Sequence, residues 1–199
     1  MQSIPNLSAE LVFWIIFVAL VVIIYFCDKK FGMLRDTSTA AIRPYSFSTV
    51  QFAWWMTIVL SSFITILLWK FRMPTLDQST LILIGITSAT KVTATSIDLS
   101  DQSNPKITRH QNSETEYFLL DILSDATGVS VNRLQTVIFN FVFGLWFVTT
   151  VLYRLHDPAF SVDAIMPPIE NRDLILLGLS SGTYAALKAT ENKNQPAAG

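Results

Sequence analysis

Apolar residues fall in long unbroken runs along this chain, and polar residues gather between them. Residues 11–26, LVFWIIFVALVVIIYF, are apolar without interruption, and Ser8, Ala9 and Glu10 supply a cap and an acidic first turn. Extended to Ala9 or Ser8, this run is about long enough for a helix to cross ~30 Å of hydrocarbon at 1.5 Å per residue. A second run follows Pro44, where Ser46 or Ser48 can cap it, and ends at Trp69 and Lys70. The third, over 81–97, is interleaved with Thr87, Ser88, Thr90, Lys91, Thr93, Thr95 and Ser96, too polar to face lipid on every side. A fourth covers about 132–153 and a fifth 174–189. The one sizeable polar segment is 98–128. In it Ser113, Glu114, Thr115 and Glu116 read as a capping box ahead of a short helix, 117–123, with Phe118, Leu119, Ile122 and Leu123 on one side. That helix is expected on the membrane surface or docked beneath the bundle.

The weak third run gains support from an internal repeat. LILIGITSAT (81–90) returns as LILLGLSSGT (174–183), identical at six of ten positions. With a different offset, 45–71 lies over 129–155 and aligns Ser46 with Ser130, Gln51 with Gln135, Phe63 with Phe147 and Thr65 with Thr149. Each unit is a long apolar helix, an aromatic-basic end, a loop, and a short helix of small and hydroxyl residues. The chain accordingly divides into an N-terminal anchor (1–28), a connection (29–44), a first hairpin repeat (45–97), a linker (98–128), a second hairpin repeat (129–190) and a disordered tail (191–199). The expected fold class is an all-α membrane protein with five transmembrane helices. Lys29, Lys30, Arg35, Arg43, Lys106, Arg109, Arg133 and Lys193 fall on one side, against Lys70, Arg72, Arg154 and Arg172 on the other. That asymmetry predicts an N-terminus outside and a C-terminus in the cytoplasm. Each hairpin then starts and finishes inside, so the repeats are parallel, related by an axis along the membrane normal.

Composition agrees with this reading. Of 199 residues 51% are hydrophobic and only 15% charged, where a soluble domain carries about 25%. The net charge of −1 gives no electrostatic case for nucleic acid. Cys27 is the single cysteine, which rules out an intrachain disulfide and a thiolate metal cluster. Its place at a helix end permits palmitoylation, though an inert thiol is the plainer reading. Asp28, Lys29 and Lys30 after the first run fit an anchor better than a cleaved signal peptide.

The candidate residues cluster in the polar helices. Gly178 and Gly182 form a GxxxG, and Gly85 with Ala89 repeats the small-xxx-small spacing, which lets helix backbones approach closely. A packing seam between the third and fifth helices, or between subunits, is one reading. The other is a polar lining, with Thr87, Ser88 and Thr90 matched by Ser180, Ser181 and Thr183. Hydroxyls can also bond a carbonyl one turn earlier. Lys91 is the most expensive residue in the apolar spans; it either faces an aqueous cavity or snorkels to the nearby helix end. Asn140 inside the fourth helix reads as an interhelical hydrogen bond. Asp121 and Asp125, four apart and so on one helix face, are a weak candidate cation site near the cytoplasmic face, with a solvated helix end the plainer reading. His110 and His156 fall on opposite sides and cannot share a metal. No phosphate-binding glycine loop, nucleophile elbow or HExxH is present, so neither an enzyme nor a cofactor is expected.

The repeated block, with FLLDILSDATGVSVNRLQ (118–135) before the second unit and LLGLSSGTYAALK (176–188) at its end, resembles a group of uncharacterised bacterial inner-membrane proteins. Those carry Gly-Ile-Ser-Gly/Ala-Thr and D-I-L-S-D-x-x-G-V-S motifs. The resemblance covers about 45–188; it implies a shared fold and a bacterial plasma membrane, and no activity. Two functions remain open: a homo-oligomeric channel with the third and fifth helices nearest its axis, or a membrane-embedded sensor or scaffold that docks a cytoplasmic protein through 98–128.

Overall fold

The computed structural model describes residues 8–104, 107, 117–125 and 128–191, without the side chains of 179–181 and 191. The capping box at 113–116, His110 and the tail beyond Glu191 lie outside the described residues. Six helices follow one another: α1 (Ala9–Phe31), α2 (Phe47–Lys70), α3 (Gln78–Gln102), the short α4 (Phe118–Leu123), α5 (Val131–His156) and α6 (Asn171–Glu191). A minimal hairpin, β1 (Ser124–Asp125) against β2 (Gly128–Val129), joins α4 to α5.

Local chemistry sets the helix ends. The Ser8 hydroxyl accepts from Leu11 N at the start of α1, and Gly32 at φ 65° ends it with its N–H on the Asp28 carbonyl. Phe71 takes the same left-handed turn at φ 50° after α2. Asp77 caps α3 by accepting from Ser79 N at 2.8 Å. The Ser79 hydroxyl and N–H hold the Asp77 carboxyl below the usual carboxylate range. Across the same loops Thr75 donates its N–H and hydroxyl to Asp163, which lowers that carboxyl as well.

Two of the expected boundaries move. α3 runs five residues past Ile97, because Asp98 and Asp101 prolong its buried stripe of Thr80, Leu83, Thr87, Thr90 and Ala94 at helical spacing. The linker therefore starts after Gln102, not at Asp98. α1 continues to Phe31 instead of stopping at Phe26.

α2 is the central helix and packs against α1, α3 and α5; α3 with α6 and α5 with α6 complete a ring. Contacts at each end fix the directions. Ser79 at the start of α3 accepts from Ile169 N just before α6, and Asp98 near the end of α3 meets Lys188 near the end of α6. The two helices are parallel. Gln51 and Trp55 of α2 reach Asn140 of α5, and a Cβ on Gly144 would stand 2.8 Å from Ile58 Cδ1 and the Trp54 ring, so this pair is parallel too. Glycine is required at 144 because the Trp54 indole occupies the space. The duplicated hairpins thus lie side by side in the same sense. α1 packs across α2 and α5, with Glu10 against His156 at 2.5 Å.

Four helices, α1, α2, α3 and α5, are long and apolar enough to cross a membrane. α1 leaves most of its apolar surface uncovered, from Leu11, Trp14 and Ile15 through Tyr25 and Phe26. α5 likewise exposes Leu134, Ile138, Phe141, Val142, Leu145 and Trp146. Such faces suit a hydrocarbon solvent.

Candidate functional site

The phase of α3 divides its polar residues. Thr87 and Thr90 are buried, and their hydroxyls donate within the helix: Thr87 to the Leu83 and Ile84 carbonyls at 3.1 Å each, Thr90 to Ile86 at 2.8 Å. Ser88 is half-buried. Lys91 turns toward α2, its ammonium 5.2 Å from the Phe52 ring centre. The opposite, outward face carries Gly85, Ala89, Thr93 and Ser96. Gly85 has open space where a Cβ would be.

On α6, Leu174, Leu177, Tyr184 and Lys188 are buried, while Gly182, Thr183 and Ala186 face outward. Gly178 touches α3, with Ile86 Cδ1 3.6 Å from the position of a Cβ; Gly182 meets nothing. The small-residue pattern therefore splits. Gly178 serves the α3–α6 seam, and Gly85 with Gly182 does not. The Ser180 and Ser181 side chains lie outside the described residues.

Asp121 and Asp125 do not share a helix face, because α4 ends at Leu123 and Asp125 belongs to β1. The Asp121 carboxylate accepts from Tyr45 N at 3.0 Å and ties α4 to the connection before α2. Among the described residues no group of three His, Cys, Asp or Glu is placed to hold a metal.

An ionic centre that the sequence reading missed sits at the opposite end of the bundle from Glu10. Lys188 Nζ lies 3.0 Å from Asp98 Oδ1 and 3.9 Å from Asp36 Oδ2, and all three side chains are at most 5% exposed. They come from α6, α3 and the α1–α2 connection. That connection is itself pinned. Arg35 lies 3.6 Å from Asp28, donates to the Arg43 carbonyl at 2.7 Å and stacks 3.7 Å over the Tyr45 ring. Burial pushes the Tyr45 phenol above its ordinary range, against the opposing pull of Arg35. The available signal was periodicity: positions 83, 87, 90, 94, 98 and 101 continue one stripe across the apparent end of the apolar run.

A second polar node joins α2 to α5. Asn140 Oδ1 accepts from Trp55 Nε1 at 2.6 Å and Gln51 Nε2 at 3.2 Å, its Nδ2 donates to the Thr136 carbonyl, and its own carbonyl accepts from Trp54 Nε1. This is the interhelical bond expected of Asn140.

Lipid-compatible outer faces on α1 and α5 and four span-length helices define a multi-pass, all-α membrane protein. Comparison with protein-family models, curated proteins and solved structures returns no match to this chain.

Proposed function

We propose that the protein is a homo-oligomeric, pore-forming membrane protein in which copies meet through the outward faces of α3 and α6. One contrast carries the reading. The outer faces of α1 and α5 are lined mainly by large apolar side chains, whereas those of α3 and α6 intersperse Leu81, Ile82, Val92, Leu99, Ile175, Leu176 and Leu187 with Gly85, Ala89, Thr93, Ser96, Gly182, Thr183 and Ala186. Small and hydroxyl residues gain little from lipid and suit a close helix partner. The inward Thr87 and Thr90 hydroxyls are engaged with their own backbone, so a water path would run between copies, not through one. Thr93, Ser96 and Thr183 would border it, and Lys91 would not.

α6 serves as a fifth span in this reading; its 21 residues reach about 32 Å at 1.5 Å each. The excess of Lys and Arg at the Lys188 end supports that end facing the cytoplasm, and the motif resemblance supports a bacterial inner membrane. In a Cys27→Ala background, an impermeant thiol reagent added to intact cells should label Ala159→Cys and spare Ala41→Cys. The reverse pattern inverts the orientation.

Oligomeric mass tests the interface. A Cβ at Gly182 meets open space and the position is exposed, so Gly182→Leu should leave thermal stability within about 0.5 kcal/mol, as surface substitutions do. Light scattering in detergent should then show a multiple of 22.3 kDa for the wild type and a smaller species for the variant. A wild type of one protomer mass refutes the reading. The competing scaffold reading draws on the exposed Tyr117, Leu119 and Leu120 at α4, and a soluble protein captured through them by a monomeric wild type would favour it.

A further inference from the structure

A groove of about 260 Å³ opens between α2, α4 and α5, walled by Val50 and Trp54, by Phe118 and Leu119, and by Val137 and Phe141. Gln51 and Asn140 also line it. Their amides face each other at 3.2 Å, the Asn140 oxygen also takes the Trp55 N–H, and the Trp54 N–H points to the Asn140 carbonyl. The Gln51 Nε2, the Asn140 amide and both indole N–H groups are thus engaged with one another, and the rest of the wall is apolar, a lining that suits a hydrocarbon chain better than a polar solute.

The open side is continuous with the lipid-facing surface. Phe141, which forms one wall, is 58% exposed, and Ile138 and Val142 beside it on α5 are also exposed. Leu119, on the α4 wall, is 65% exposed. Val50 and Trp54 lie about 4–10 Å of rise inside α2, and Val137 and Phe141 about 9–15 Å inside α5. That depth suits the upper part of an acyl chain in the leaflet at the Lys188 end. The same end carries the exposed Lys29 and Lys30, cations suited to a headgroup phosphate.

We propose that this groove binds one acyl chain of a bilayer phospholipid, wedged between α4 and the α2–α5 pair. The occupant is a bilayer lipid because the groove is apolar, opens sideways between two spans, and lies at the level where chains begin.

Native mass spectrometry of the full chain, purified in mild detergent from phospholipid membranes, tests this. The wild type should retain one phospholipid per protomer through washing. Val137→Trp and Val50→Phe fill the groove from opposite walls and should lose it. Val142→Trp, on the exposed face of α5 outside the groove, should keep it. A second measurement leaves the groove unfilled. In a chain with Trp14, Trp55, Trp69 and Trp146 changed to Phe, phosphatidylcholine brominated on its acyl chains should quench Trp54 at one lipid per protomer. A wild type without retained lipid, lipid that survives both fillings, or unquenched Trp54 at that ratio overturns the proposal. The first of these results, with a cross-link from position 137 to residues 105–116, would assign the groove to the chain's own linker.

Discussion

Lys188→Met should lower the stability of the protein by about 3–5 kcal/mol, the effect of removing one partner from a buried ion pair. The substitution preserves length and apolar packing, so the loss isolates the charge. It leaves Asp98 and Asp36, both buried, short of the cation that lies 3.0 and 3.9 Å away. For a chain of this size the melting midpoint in detergent should fall by roughly 10 °C, at about 2–4 °C per kcal/mol. Adding Asp98→Asn should restore part of the loss, because it removes a buried negative charge along with the cation that faced it. The connection over 32–46 should loosen in the single variant, read as faster amide exchange, since Asp36 joins it to Lys188 of α6. A Lys188→Met protein that melts with the wild type would show that the ammonium does not carry this contact.

Asn140→Leu should have an effect of the same order. The side chain is 5% exposed, and its oxygen takes the Trp55 N–H at 2.6 Å and the Gln51 amide at 3.2 Å. Leucine deprives both donors of this acceptor in a place water does not reach, at about 1–3 kcal/mol each. The expected sum is about 2–6 kcal/mol. Asn140→Asp keeps an acceptor toward both donors and should retain more stability than Leu. Thermal unfolding of the two variants checks the order, and Leu as stable as Asp would remove this node from the α2–α5 contact.

Much of the architecture was legible in the chain. Unbroken apolar runs marked α1, α2 and α5, where the helix ends differ from expectation by a few residues. α3 gave that signal only weakly and was supported by its repeat in α6, which also led to the parallel hairpins seen in the Ser79–Ile169 and Asp98–Lys188 contacts. The ionic centre was hidden for a physical reason. A run of apolar residues appears to end at the first charge, yet Asp98 stays inside α3 because a partner 90 positions away compensates it. The repeat gave no warning, since its alignment sets Lys188 against Thr95. Composition also could not assign the hydroxyls. Helical phase alone turns Thr87 and Thr90 inward and Thr93 outward, and brings Lys91 against Phe52. Asp121 and Asp125 do not share the helix face their spacing predicts, because the helix ends between them.

The central claim is a water path between copies along α3 and α6. A fixed charge at such a constriction acts on every passing ion. Purified protein in planar bilayers under a salt gradient should conduct, and Thr93→Lys and Thr93→Glu should shift the reversal potential in opposite directions, toward anions and cations respectively, while Lys91→Met leaves it unchanged. A silent bilayer, or a reversal potential that ignores position 93 and follows position 91, would contradict the account.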